Sequence, residues 1–85
     1  MKKETVTILN ENGLHALPAS RFVKLATTFK CSVTLTKGDI EVNGKSIMGI
    51  LTLACEKGSK VTIACDGPDE NKAMSALKKI LEGTD

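Results

Sequence analysis

Apolar and polar residues alternate with period two in three short runs of this chain. Val6 and Ile8 alternate with Thr5 and Thr7. Cys31, Val33 and Leu35 alternate with Ser32, Thr34 and Thr36. Val61, Ile63 and Cys65 alternate with Thr62 and the small Ala64. Each run reads as a strand that is apolar on one face only. A sheet of such strands must be covered on one side and wet on the other. That single requirement excludes a helical bundle and a doubly covered parallel sheet.

What lies between the strands supplies the cover. An apolar helical stripe of Ala19, Phe22, Val23 and Ala26 predicts a helix from about Ala16 to Phe29, with Pro18 tolerated in its first turn. Lys37-Gly38-Asp39 makes a tight hairpin into a third short strand marked by Ile40 and Val42. After the loop Asn43-Gly44-Lys45, Ser46 is a good N-cap for a short apolar helix from Ile47 to about Leu53. Asp66-Gly67-Pro68-Asp69 turns the chain into a last helix, about Glu70 to Leu81. Asp69 is its expected cap, and Ala73, Leu77, Ile80 and Leu81 form one face. The order is βαββαβα. It predicts an α+β, open-faced two-layer sandwich: a four-stranded antiparallel sheet with three helices on one face.

At 85 residues the chain is one domain, residues 1–85. It holds two Phe and no Tyr or Trp, so the core is aliphatic. The three cysteines, Cys31, Cys55 and Cys65, are odd in number and widely spaced; free thiols in a cytoplasmic setting are expected. Met1-Lys2-Lys3 is followed by polar residues, not by a signal-peptide core, and no apolar run approaches a membrane span. Neither membrane insertion nor a cofactor is expected. A net charge of +2 and a sheet without stacking aromatics argue against nucleic acid as a partner.

Gly13-Leu14-His15-Ala16 carries the chemistry. His15 is the only histidine in the chain and stands where the first helix begins. A histidine there can simply cap the helix. Its surroundings point further. Backbone N–H groups without intrahelical partners and the positive end of the helix dipole face that position. A cation is opposed there, which favours the neutral, nucleophilic imidazole, and an anion on the ring is held by the backbone. No acidic residue occurs between Glu11 and Asp39, whereas Arg21, Lys24, Lys30 and Lys37 do. An anion or an acidic partner suits this segment.

The other candidates are weaker. Ser46 caps a helix in any reading; phosphorylation there would also be tolerated by the dipole. Gly44-Lys45-Ser46 resembles the end of a P-loop, but the motif needs a glycine where Asp39 stands. His15 and the cysteines lack metal-ligand spacing, so no metal is expected. No nucleophile elbow supports a Ser-His-Asp triad. Ile47, Met48 and Leu51 read as core, or as a docking patch if the short helix leaves them exposed.

Gly13-Leu14-His15-Ala16-x-Pro18-Ala19 and Lys45-Ser46-Ile47-Met48-Gly49 together resemble the HPr family, the phosphocarriers of the bacterial sugar phosphotransferase system. The likeness spans essentially the whole chain. It implies a carrier rather than an enzyme. His15 is then the residue phosphorylated on Nδ1 by enzyme I, which draws on phosphoenolpyruvate, and the phosphoryl group passes on to enzyme IIA domains. The backbone of Ala16 and Leu17 would steady the phosphate, with Arg21 as a further donor. Ser46 matches a regulatory serine, the substrate of HPr kinase/phosphorylase, whose phosphorylated form serves catabolite control protein A. Ser20, Lys24, Lys45, Ile47, Met48 and Leu51 fall on the family's docking surface. A cytoplasmic monomer is implied. One residue departs from the pattern: the family has an arginine after His-Ala, and this chain has Leu17.

Overall fold

A computed structural model describes residues 1–9 and 16–83. Seven elements follow in the order β1 (Lys2–Thr7), α1 (Ala16–Ala26), β2 (Ser32–Lys37), β3 (Ile40–Asn43), α2 (Ile47–Thr52), β4 (Lys60–Asp66) and α3 (Glu70–Leu81). The sheet is antiparallel throughout, with strand order β1-β4-β2-β3. The expected α+β sandwich is therefore the observed one. The His15 position and the Asn10–Gly13 turn lie outside the described residues.

Register explains why one face is buried. Val6 pairs with Val61, and Leu35 pairs with both Ile63 and Val42, so the apolar members of each strand line up under the helices. Val33, Leu35, Val61, Ile63 and Cys65 are fully or almost fully buried. Thr5, Thr62 and Thr36 form a polar row on the other face, where the Thr5 and Thr62 hydroxyls hydrogen-bond at 3.0 Å. Ile40 is the exception: at the hairpin tip, opposite Lys37, it is 48% exposed. Gly38, with φ +60°, takes the left-handed position that this two-residue loop requires.

Element boundaries differ from the sequence reading in several places. β1 begins at Lys2, before the alternation starts, because backbone pairing with β4 extends through the exposed Lys2 and Lys3 and the partly buried Glu4. α1 ends at Ala26, not Phe29. The Thr27 and Thr28 hydroxyls donate to the carbonyls of Lys24 and Leu25 at 2.9 and 2.6 Å, closing the last turn with side chains. β2 then starts at Ser32 because the two preceding N–H groups are taken by Asp69. Its carboxylate accepts from Lys30 N at 2.8 Å and Cys31 N at 2.9 Å. Asp69 does occupy the N-cap position of α3, but its side chain makes no capping bond. The expected cap instead ties the end of α1 to the start of α3.

Those bonds give a pH dependence. Backbone donation from Lys30, then from Cys31, holds the Asp69 carboxyl below its ordinary value. Lys78 does the same for Glu4 through a 2.9 Å ion pair, and Gly67 N–H does so for Glu70. Carboxyls depressed in the fold contribute stability above their unfolded values, and that contribution disappears as pH falls through the folded ones. Denaturant melts are therefore expected to lose stability progressively below about pH 4. Asp69→Asn should flatten that acid limb, and an unchanged limb would remove Asp69 from the account.

The C-terminus of α2 carries a local strain. Ala54 has φ +51°, and among the described residues it is the one non-glycine with positive φ. Its N–H closes on the Leu51 carbonyl at 3.1 Å, the task usually given to a glycine after a helix. Ala54→Gly is expected to raise unfolding free energy by about 1 kcal/mol, since a Cβ in the left-handed region costs about 1–2 kcal/mol and glycine returns part of that as chain entropy. Equilibrium denaturation with an unchanged m-value is the measurement.

Candidate functional site

Ala16 and Leu17 are the first two residues of α1, so His15 immediately precedes the helix in the chain. Pro18 has no N–H to offer. The first-turn donors ahead of Ala19 are thus the backbone groups of Ala16 and Leu17. No acidic side chain stands in that turn, and Lys24 lies in the last. An anion held at this end meets the helix dipole and no nearby carboxylate of α1.

Ser20, Arg21 and Lys24 are exposed along α1. Arg21 and Lys24 line a shallow groove with Leu25, Thr28 and Ile80, where α1 faces α3. Arg21 sits one turn beyond Leu17.

α2 packs beside α1 and presents apolar side chains to solvent. Met48 is 70% exposed, and Ile47 and Leu51 are each 38% exposed, whereas Ile50 is fully buried. This six-residue helix buries one residue and exposes three large apolar ones, so its outer face is not core. The chain folds α2 this way because its cap is strong. The Ser46 Oγ accepts from Gly49 N at 3.2 Å, and Asn43 Oδ1 accepts from Lys45 N at 2.8 Å just before it. Gly49 is closely packed: a Cβ there would stand 3.2 Å from Val42 Cβ, a tight contact that Val42 would have to relieve.

Lys45 is half-buried, and its ammonium donates to the Phe29 carbonyl at 2.9 Å. It braces the turn after α1 against the start of α2. At the other end of α2, the Lys37 ammonium donates to the carbonyls of Leu53 and Ala54 at 3.3 and 3.1 Å. Lys37 and Asp69 are the positioning residues that sequence reasoning missed. Neither role has a local signal, because each partner lies 16 or more residues away.

Among the described residues, no cluster of three His, Cys, Asp or Glu side chains is placed to hold a metal ion, and no helix is long and apolar enough to cross a membrane.

Known proteins share this arrangement. The family model described as "PTS HPr component phosphorylation site" matches residues 2–83. The chain is 45% identical over 83 residues to the phosphocarrier protein HPr of Neisseria meningitidis serogroup A, covering 98% of this chain and 93% of the relative. It resembles the crystal structure of HPr-C-His from Thermoanaerobacter tengcongensis with a TM-score of 0.93 and 40% identity, covering 99% and 94% of the two chains. It also resembles Crh, the Bacillus subtilis catabolite repression protein solved as a swapped dimer, with a TM-score of 0.79 and 37% identity, covering 99% and 97%.

Proposed function

We propose that this chain, which belongs to the HPr family of phosphocarriers, accepts a phosphoryl group on His15 from enzyme I and passes it to enzyme IIA domains in sugar uptake. The observation that carries the proposal is the match over residues 2–83 together with a helix that begins at Ala16, directly after the only histidine. The imidazole Nδ1 attacks phosphorus, and the N–P bond to the donor histidine breaks. The new phosphohistidine then gives the group to the next carrier. Nothing is turned over, so the protein's part is to make the two transfers nearly balanced. The N–H groups of Ala16 and Leu17 steady the phosphate without binding it so tightly that it stays. The exposed Ser20, Arg21 and Lys24, with Ile47, Met48 and Leu51, meet an acidic partner that has an apolar centre.

The test is mass spectrometry after incubation with phosphoenolpyruvate and enzyme I, keeping acid-labile phosphate apart from acid-stable phosphate. One acid-labile phosphate, absent in His15→Ala and retained in Ser46→Ala, is expected. Nitrogen-resolved NMR should place it on Nδ1. Failure to label under enzyme I sinks the reading.

A second reading gives the regulatory role to Ser46, phosphorylated by HPr kinase/phosphorylase for use by catabolite control protein A. It is favoured by the similarity to Crh, a catabolite repression protein, and by the absence of the family arginine at Leu17. Acid-stable label from ATP and the kinase, with none from enzyme I, would select it. Ser46→Asp is expected to keep or slightly raise the melting temperature, since a carboxylate both caps the helix and favours its dipole. The same change should weaken enzyme I binding by placing like charge beside Met48. A variant that unfolds, or that binds undiminished, returns Ser46 to a plain cap. A cytoplasmic monomer fits the carrier role; sedimentation of the purified chain checks it against the dimeric relative.

A further inference from the structure

The chain has three methionines and three cysteines. Four of these sulfurs are shut inside the fold: Cys31, Cys55, Cys65 and Met74 are each at most 1% exposed. Burial also holds the three thiols above their ordinary range, so the oxidisable thiolate is scarce. Met48 and Met1 are open to solvent, at 70% and 74% exposure. They stand on opposite layers of the molecule. Met1 borders a shallow groove on the helix-free face of the sheet, with Lys3, Thr34 and Thr62. Met48 shares the outer face of α2 with Ile47 and Leu51.

α2 cannot turn the Met48 side chain inward. Its other side is committed by the fully buried Ile50. Its start is fixed by the Ser46 hydroxyl accepting from Gly49 N, and its end by the Lys37 ammonium donating to the Leu53 and Ala54 carbonyls. The Thr52 hydroxyl donates to the Met48 carbonyl at 2.8 Å and holds that turn of backbone. A polar atom added to Met48 therefore stays on the face that meets a partner.

We propose that Met48 is a redox modification site, oxidised by hydrogen peroxide to the sulfoxide, and that the change reversibly weakens docking of the carrier. A sulfur lone pair attacks one peroxide oxygen. An S–O bond forms, the O–O bond breaks, and the other oxygen leaves as water. The sulfur loses two electrons and the peroxide gains them. A flexible apolar side chain becomes a polar one. The apolar centre of a partner must then bury an oxygen that it has no donor to pair. That costs about tenfold or more in affinity, the range for one unsatisfied buried polar group. Methionine sulfoxide reductases, drawing on a thiol reductant, restore the thioether. This inference rests on the carrier reading, which supplies the partner.

The test treats the folded protein with hydrogen peroxide, removes the excess with catalase and maps the peptides. The expected result is added oxygen on the peptides of Met48 and Met1, with Met74 and the three thiols unmodified. Phosphoryl transfer from enzyme I is then timed across carrier concentrations. The apparent KM should rise about tenfold or more. The rate at saturation should hold, because the N–H groups proposed to steady the phosphate belong to α1 and not to α2. Methionine sulfoxide reductase should bring the KM back. Met48→Leu takes up no oxygen at that position, so its KM should be the same before and after peroxide, whatever its starting value. That variant separates Met48 from Met1. A Met48 oxidised no faster than Met74, or a KM shift that persists in Met48→Leu, overturns the proposal. Untreated protein that takes no phosphate from enzyme I overturns the carrier reading and the switch with it. Equal KM before and after oxidation overturns the switch alone.

Discussion

Leu17→Arg is expected to raise the rate of phosphoryl transfer from enzyme I roughly ten- to a thousandfold, the range for one pre-organised donor that acts on developing charge. Leu17 is the second residue of α1, so an arginine there starts beside the N–H groups proposed to hold the phosphate. It adds a forked donor and a fixed positive charge where leucine offers only its backbone. The α1 first turn contains no carboxylate to divert it. The nearest substitute on the same helix is Arg21, four residues on, which lines the groove beside Ile80 of α3. Rapid-quench transfer from phosphorylated enzyme I measures the effect, with Arg21→Ala as the companion variant. If Leu17→Arg changes nothing while Arg21→Ala slows transfer, Arg21 already supplies the cation. If neither changes the rate, the carrier works through backbone donors alone.

The parts of this molecule legible in its sequence are those written locally. Alternation in Val33–Leu35 and Val61–Cys65 fixed which side of each strand is buried, and from there the two-layer architecture followed. The Ser46 cap could be read because its acceptor and donor lie three residues apart. Asp69 looked like a cap for the same reason and is not one. Two N–H groups 38 and 39 residues away compete for its carboxylate and win. The apolar stripe continues to Phe29, but α1 stops at Ala26, where the Thr27 and Thr28 hydroxyls bond the Lys24 and Leu25 carbonyls and the backbone tightens through Thr28 N–Leu25 O and Phe29 N–Ala26 O. Exposure of Ile47, Met48 and Leu51 could not be decided from periodicity: whether an apolar helix face is core or docking surface depends on what stands above it.

Phe22→Ala is expected to cost about 3–5 kcal/mol of folding free energy, the range for deleting a buried aromatic ring. Domains of this kind hold about 5–15 kcal/mol in total, so the loss is a large share of what keeps the chain folded. Phe22 is fully buried and stands first among the largest fully buried side chains. Its stripe-mates Ala19 and Ala26 are also fully buried but bring one methyl each. The ring is therefore the main apolar anchor by which α1 is seated, with Val23 and Leu25 only partly buried beside it. Denaturant melts with an unchanged m-value should show the loss. Phe22→Leu, which keeps most of the volume, should cost far less. The effect reaches function through position. α1 carries the N–H groups of Ala16 and Leu17 at one end and Lys24 at the other, and its end is fastened by Asp69 and Lys45. Loosening its middle should slow phosphoryl transfer to His15 even in the fraction that remains folded. A loss under about 1 kcal/mol would mean that the site helix is held by those end bonds and by α3 rather than by its own apolar face.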